Sequence, residues 1–145
     1  MNEVLVCKFE TDNTSPTKVF ALSIIPVSTG TLVRYSDDHP DMDPLLVGVK
    51  RISEARTVIS HTIFTRRVLE KFYKVPISDY FDTFAKLRDL FPNESHKLVD
   101  WAQRLGVRLS RGGANEEWTP TLQQRCNVGA RVIWQLHREI TGVIV

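Results

Sequence analysis

The sequence lacks the long apolar stretch that a membrane-spanning helix requires. No run of eighteen apolar residues occurs among its 145 residues, whereas a spanning helix needs about twenty. The first residues also lack the basic start and the apolar stretch of a signal peptide. We therefore expect a cytoplasmic protein with no membrane partner.

Cysteine is scarce, and so are the segments that separate domains. The two cysteines, Cys7 and Cys126, have no spacing typical of a disulfide framework or a zinc site, so we expect two free thiols. There is no internal repeat, low-complexity tract or obvious linker. The composition, 42% hydrophobic and 25% charged, is that of a globular protein. We predict a single domain over residues 1–145.

The order of apolar patterns predicts an α/β protein. Apolar, β-branched stretches predict strands at residues 2–11, 17–27 and 30–36 and a fourth strand that ends in His61. Apolar residues at helical spacing predict helices from Pro44 to near Arg56, over 66–75, over 80–91, from Ser95 to Gly106, and from Thr119 to Gly142, with Asp43 capping the first. We expect three antiparallel strands plus one parallel strand, with flanking helices. This order resembles the RNase H-like fold.

Five short motifs carry a more specific resemblance. In chain order they are KFETD, SHTIFT, FDTF, HKLVDWAQRLG and CNVGA. Together they resemble the DnaQ-like (DEDD) 3′-5′ exonucleases, and most nearly the proofreading domains of phage family A DNA polymerases. The resemblance covers nearly the whole chain.

The resemblance also implies where catalytic groups are expected. The family binds two divalent cations through four carboxylates, and it has a tyrosine that orients the attacking water. The corresponding positions in this sequence, in chain order with the tyrosine position fourth, are Lys8, Glu10, Thr65, Cys126 and Ala130. Three of the four carboxylates are absent, so we predict no metal site, no cofactor and no catalytic residues.

The charge of these positions supports that interpretation. Two Mg²⁺ ions about 3.5–4 Å apart need several carboxylates to offset their repulsion, and one glutamate is too few. Lys8 would also project its ammonium into the space that a metal takes in the family. We expect Lys8 to replace the ion and to pair with Glu10 or Asp12.

Three functions follow from the resemblance. The main prediction is a catalytically inactive, viral pseudo-exonuclease in the host cytoplasm, which binds or inhibits a protein partner in nucleic-acid metabolism or host defence. The first alternative is a non-catalytic module that binds single-stranded nucleic acid. The second is a 3′-5′ exonuclease with atypical metal ligands.

A basic cluster on the second predicted helix favours contact with nucleic acid. Its members are Arg66, Arg67, Lys71 and Lys74, and Phe72 and Tyr73 are adjacent for base stacking. A solvated helix face explains the same basic residues, and Phe72 and Tyr73 are also needed for the core. Purely structural interpretations also apply to two other residues: His61 as a hydrogen-bonded structural side chain and Asp82 as a helix cap.

Overall fold

A computed structural model describes residues 3–110 and 114–144, with side chains as far as Gly142. The described residues form a five-stranded sheet with five helices. The strands are β1 (Val4–Thr11), β2 (Val19–Pro26), β3 (Val33–Tyr35), β4 (Thr57–Ser60) and β5 (Tyr80–Asp82). The helices are α1 (Leu45–Ser53), α2 (Phe64–Tyr73), α3 (Thr83–Leu90), α4 (Leu98–Arg104) and α5 (Pro120–Ile144).

The strand order in the sheet is β3-β2-β1-β4-β5. β1 and β3 pair antiparallel with β2, whereas β4 pairs parallel with both β1 and β5. The predicted mixed sheet, with a parallel strand added after a crossover helix, is therefore confirmed. The second parallel strand, β5, was not predicted, because its three residues lie inside a stretch that has helical spacing.

The two faces of β1 support different layers. Leu5, Cys7 and Phe9 are buried in the apolar cluster that also holds residues of α1 and α2. Val6 points to the opposite face, where it packs against Ala130 and Ile133 of α5. Lys8 and Glu10 follow Val6 in the same alternation, so β1 brings two charged side chains to the α5 side of the sheet.

The helix ends differ in part from the prediction. Asp43 does not cap α1; instead the Asp37 carboxylate accepts a hydrogen bond of 2.9 Å from the backbone N–H of Leu45. At the start of α5, Thr119 Oγ1 accepts from the N–H of Leu122 at 3.0 Å, as expected of a cap. The helix then continues past Gly142 to Ile144.

The stretch LSRGGANEE, residues 109–117, predicts a flexible loop before α5, and residues 111–113 of it lie outside the described part of the chain. None of the helices in the described ranges is both long and apolar enough to cross a membrane. Both cysteines are buried free thiols, as predicted.

Candidate active site

Three charged side chains meet where β1 approaches α5, and we call Lys8, Glu10 and Arg125 the β1 charge cluster. Glu10 Oε1 lies 3.5 Å from Lys8 Nζ and 3.1 Å from Arg125 Nε. The exposed fractions of the three side chains are 21% for Lys8, 13% for Glu10 and 12% for Arg125. Screening by water is weak at such exposure, so these ion pairs are stronger than ordinary surface pairs. The cluster carries a net charge of about +1, since one carboxylate faces two cations.

Gly129 of α5 provides the space in which the Lys8 side chain lies. A Cβ atom at position 129 would lie 2.5 Å from Lys8 Cδ and closer still to its Cε. No side chain larger than hydrogen fits there unless Lys8 moves. The thiol of Cys126, one turn earlier, donates to the backbone carbonyl of Lys8 at 3.2 Å. The strand and the helix thus fix Lys8 from both its backbone and its aliphatic stem.

Arg125 is held by the loop before α5 as well as by Glu10. Its Nη2 donates to Asn115 Oδ1 at 3.3 Å, and Asn115 Nδ2 donates to the carbonyl of Thr11 at 2.9 Å. The N–H of Asn115 also donates to the carbonyl of Asp12 at 2.7 Å. The end of β1, the loop and α5 therefore form one hydrogen-bonded unit around Glu10.

Asp12 has a different role from the one considered for it. Its carboxylate accepts backbone hydrogen bonds from Thr17 at 2.9 Å and Lys18 at 3.1 Å, and a further one from the Thr17 hydroxyl. These bonds, with that of the Thr17 hydroxyl first, lower the pKa of Asp12 to about 2. Asp12 closes the turn between β1 and β2, and the Lys8 ion pair is made with Glu10.

The end of β4, next to β1 in the sheet, is built from hydroxyl groups. Ser60 Oγ donates to the Cys7 carbonyl at 2.7 Å and lies 2.8 Å from Thr65 Oγ1. Ser60 and Thr65 are both buried, with 2% of each exposed. Thr65, the position at which the resembling family has its second aspartate, is thus part of a satisfied neutral network.

His61 adds a ring to this network and is also neutral. Its ring nitrogens lie 2.8 Å from Thr83 Oγ1 and 2.6 Å from the carbonyl of His96. Burial lowers the pKa of His61 to about 4, against a smaller opposing effect of the His96 carbonyl. Because both nitrogens have partners, His61 holds α3 and the segment before α4 to the end of β4.

Asp82 is a helix cap, which was the structural interpretation of this residue. Its Oδ1 accepts from the N–H groups of Phe84 at 2.9 Å and Ala85 at 3.4 Å at the start of α3. The same oxygen accepts from the N–H of Thr62 at 2.8 Å, and Thr62 has a positive φ of 67°. The carboxylate is thus used to hold the backbone between β4 and α2.

The remaining family positions on α5 are enclosed by protein. Cys126 and Ala130 are both fully buried, Ala130 among Val6, Ile25 and Ile133. Burial raises the pKa of the Cys126 thiol to about 12. A thiol that stays protonated is a poor metal ligand and a poor nucleophile, so Cys126 supplies neither function.

The donor set does not fit a pair of divalent cations. Within residues 3–110 and 114–144, no group of three or more His, Cys, Asp and Glu side chains is placed to hold a metal ion. The one family carboxylate that remains, Glu10, is already paired with two cations. A mechanism based on two metal ions is therefore not supported by these residues.

Two adjoining cavities lie beside the β1 charge cluster, and Lys8, Phe9 and Phe64 line both of them. The larger, about 530 Å³, extends toward the loop residues Asn13, Thr14 and Ala114 and is also lined by Glu10 and Thr11. The smaller, about 240 Å³, lies at the end of β4, with lining residues Ser60, His61, Thr62, Thr65, Leu98 and Ile133. Among the described residues that line the two cavities, Glu10 is the one carboxylate.

The predicted basic cluster lies on α2, beyond Phe64. Arg66 is exposed and forms an ion pair of 3.4 Å with Glu70 one turn later. Arg67 and Lys71 line a third cavity of about 410 Å³ that also includes Phe64, Thr14 and Pro16. Lys74 ends the helix in the left-handed conformation, with φ 56°. Arg67 and Lys71 therefore share a surface with the two cavities, whereas Arg66 and Lys74 do not line it.

Comparison with known proteins identifies the fold. The chain is similar to Brucella melitensis NrnC, with a TM-score of 0.72, 17% identity, and coverage of 96% of this chain and 72% of that one. It is also similar to exonuclease X in complex with 5′ overhanging duplex DNA, with a TM-score of 0.58, 14% identity and coverage of 94% and 92%. The fold is RNase H-like.

A third neighbour is larger than this chain. Escherichia coli RNase D, an exoribonuclease involved in structured RNA processing, has a TM-score of 0.62 and 12% identity, with coverage of 97% of this chain and 39% of RNase D. No family model matches the sequence, and neither does any curated protein. At these identities the structural likeness shows the fold.

The neighbours correct our main functional prediction. They are nucleases, so the prediction of a catalytically inactive protein that is not an enzyme is wrong, and the alternative of an exonuclease with atypical groups agrees better. The error has a physical cause: the missing carboxylates weigh against one mechanism, that with two metal ions, but not against phosphodiester hydrolysis by other groups. Three residues of the site were not predicted: Arg125 and Asn115, which belong to none of the five motifs, and Gly129, which lies inside CNVGA but has no catalytic counterpart in the resembling family.

Proposed function

We propose that this chain is an exonuclease that removes nucleotides from the 3′ end of single-stranded nucleic acid with an atypical set of catalytic groups. The observation that carries the proposal is the β1 charge cluster beside two adjoining cavities in an RNase H-like fold: Lys8 lines both cavities, and Glu10 lines the larger one. We expect the reaction to occur in the cytoplasm. The closer resemblance to the proofreading domains of phage family A DNA polymerases, and binding to a protein partner, stay predictions.

The size and lining of the cavities favour the end of a strand as the substrate. The smaller cavity, which Leu98 and Ile133 help to line, has a volume that suits one terminal nucleotide, and the larger one extends past Asn13 and Thr14. Phe64 lines both, and an aromatic ring there can stack on a base without selecting its sequence. NrnC has been solved bound to pGG, and by analogy we propose short single strands for this chain.

The cluster offers groups for phosphodiester hydrolysis. In the proposed step, a water oxygen bonds to the phosphorus and the bond from phosphorus to the 3′ oxygen of the preceding nucleotide breaks. Glu10 accepts the proton that the water loses, and solvent returns a proton to the leaving oxygen. Lys8 and Arg125 lie beside the negative charge that builds on the phosphate.

The basic residues of α2 extend this groove. Arg67 and Lys71 line the cavity that continues from Phe64, and their charges suit the phosphates of the next nucleotides. We propose that these two residues bind the strand, and that Arg66 and Lys74 add long-range attraction. Nucleic acid is thus the partner that we propose.

The test is a time course with a 5′-labelled single-stranded oligonucleotide on a denaturing gel. Wild-type protein should give a ladder that shortens from the 3′ end, and Glu10→Gln, purified in parallel, should not. The matched control is Glu94→Gln, which removes a carboxylate from the exposed pair with Arg104, outside the three cavities, and should cleave like wild type.

Each outcome decides a part of the proposal. An oligonucleotide that stays intact with wild-type protein, with Mg²⁺, Mn²⁺ or a chelator in the buffer, would refute the exonuclease. Equal cleavage by wild type and Glu10→Gln would instead show that the nuclease activity does not arise from this cluster.

A further inference from the structure

The β1 charge cluster places a fixed cation where two cavities join. Lys8 lines both the 530 Å³ cavity and the 240 Å³ cavity. A strand with its last nucleotide in the smaller cavity and the preceding one in the larger must pass its connecting phosphate between them. That phosphate carries one negative charge, and it would lie next to the Lys8 ammonium.

Lys8 is better suited to an incoming phosphate than Arg125. An ammonium has three donors, and among the described residues the structure gives Lys8 Nζ one hydrogen bond, a long one of 3.5 Å to Glu10. Arg125 donates to Glu10 and Asn115 and lines neither of the two cavities. Lys8 is also the more exposed of the two side chains, at 21% against 12%. Two donors of the Lys8 ammonium therefore have no hydrogen-bond partner among the described residues, and Lys8 lines both cavities.

The aliphatic stem of Lys8 packs against α5 before any ligand arrives. The Lys8 stem occupies the space left by Gly129, where a Cβ would overlap it, and the Lys8 carbonyl accepts from Cys126. A long flexible side chain held in this way has already lost most of its rotamer freedom on folding, so little is lost when it binds an anion.

We propose that the Lys8 ammonium, seated against Gly129, binds the phosphate between the last two nucleotides and makes strand binding independent of divalent metal ions. This inference rests on the proposed function and names how that same site holds its substrate. It follows from the donor set, in which a lysine and an arginine surround the single carboxylate.

The first experiment measures binding by fluorescence anisotropy with a labelled oligothymidylate whose phosphorothioate linkages slow hydrolysis. Wild-type affinity should be the same in Mg²⁺ and in a chelator. Lys8→Met keeps an unbranched side chain against Gly129 but removes the charge, and it should weaken binding about tenfold or more. The slope of log affinity against log salt should fall by about one. The control Lys50→Met, at an exposed position of α1, should change neither value.

A change in the ligand identifies which phosphate is bound. Replacing the last linkage by an uncharged methylphosphonate should weaken wild-type binding by about the same factor as Lys8→Met. The same replacement should cost Lys8→Met nothing further, because the pair is already broken. Replacement of a linkage near the 5′ end is the matched control, and should weaken both proteins equally.

Gly129→Ala tests the seat of Lys8 separately. Alanine favours a helix over glycine by about 1 kcal/mol, so a loss of binding would not come from a weaker helix. We expect Gly129→Ala to weaken binding in the wild-type background and to have no effect in a Lys8→Ala background, where the stem is gone.

The proposal fails if wild-type binding requires Mg²⁺, or if Lys8→Met binds as tightly as wild type with an unchanged salt slope. Either result leaves the exonuclease proposal standing, since cleavage is measured separately. If wild-type protein bound no oligonucleotide at all, both the Lys8 proposal and the exonuclease proposal would be refuted.

Discussion

The carboxyl ends of β1 and β4 are neighbours in the sheet, but they differ in the way their polar groups are used. At β1, Glu10 lies between two cations in partly open cavities. At β4, Ser60, Thr65 and His61 form a buried, neutral network in which each hydrogen-bonding group has a partner. The two strand ends therefore have different roles. The charged groups at β1 can react with a substrate, whereas the hydrogen-bonded hydroxyls at β4 hold the backbone around the site.

The largest expected effect on the cleavage rate comes from Glu10, near the end of β1. Glu10→Gln removes the proposed base and should lower the cleavage rate about 10²- to 10⁴-fold. It also leaves Lys8 and Arg125 without their carboxylate, so strand binding should be retained or become tighter. A nuclease time course and an anisotropy titration on one preparation measure the two effects. Loss of binding together with cleavage would contradict the assigned role.

Substitution of Ala130 by aspartate tests whether the structure has room for the carboxylate that the resembling family has at this position. Ala130 is enclosed by Val6, Ile25 and Ile133, so Ala130→Asp should lower the free energy of unfolding by on the order of 3 kcal/mol. Urea denaturation measures the change. Gln124→Asp, at an exposed position of the same helix, is the control and should cost little. Unchanged stability of Ala130→Asp would mean that this site has room for an acid.

His61, in the neutral network at the end of β4, should make the free energy of unfolding depend on pH. The pKa of His61 falls from 6.5 to about 4 on folding, so the unfolded chain binds more protons between these values. The contribution of His61 to the free energy of unfolding is fully present above pH 6.5. It is lost as the pH falls through about 4, by up to about 3 kcal/mol.

Urea titrations at several pH values measure this loss, and His61→Gln should reduce it. Some pH dependence should remain in that variant, because burial also lowers the pKa of His137. An unchanged profile in His61→Gln would mean that His61 titrates normally in the folded protein.

The smallest expected effect comes from the hydroxyl at the family's second aspartate position. Thr65→Val removes the partner of Ser60 and should destabilise the protein by about 1 kcal/mol. Cleavage at saturating substrate should stay within about twofold of wild type, because Thr65 lines the smaller cavity but its buried, neutral hydroxyl has no part in the proposed step. A large loss of activity at unchanged stability would place Thr65 in the chemistry.

The sequence patterns predicted most of the framework for local reasons. The first three strands and β4 are apolar and β-branched and are bounded by turn residues, and the helices have apolar residues at helical spacing. β5 was not predicted as a strand, because Tyr80–Asp82 is short and continues directly into α3. The Asp43 cap was wrong because Asp37, eight residues before the helix start, reaches the N–H of Leu45.

The site was predictable only where its residues are close in the chain. Lys8 and Glu10 are two residues apart on one face of a strand, so their pairing could be anticipated. Arg125 lies 115 positions from Glu10, and Gly129 is recognisable as a seat only when the Lys8 stem is seen against it. Long-range contacts of this kind depend on how α5 crosses the sheet, which no local pattern encodes.

The most direct measurement compares 3′-end cleavage by wild type, Glu10→Gln and Thr65→Val on one single-stranded substrate under identical conditions. We expect a ladder from wild type and Thr65→Val and an intact band from Glu10→Gln. An intact band from wild type, or the loss of cleavage in Thr65→Val alone, would contradict the assignment of the chemistry to the charged end of β1.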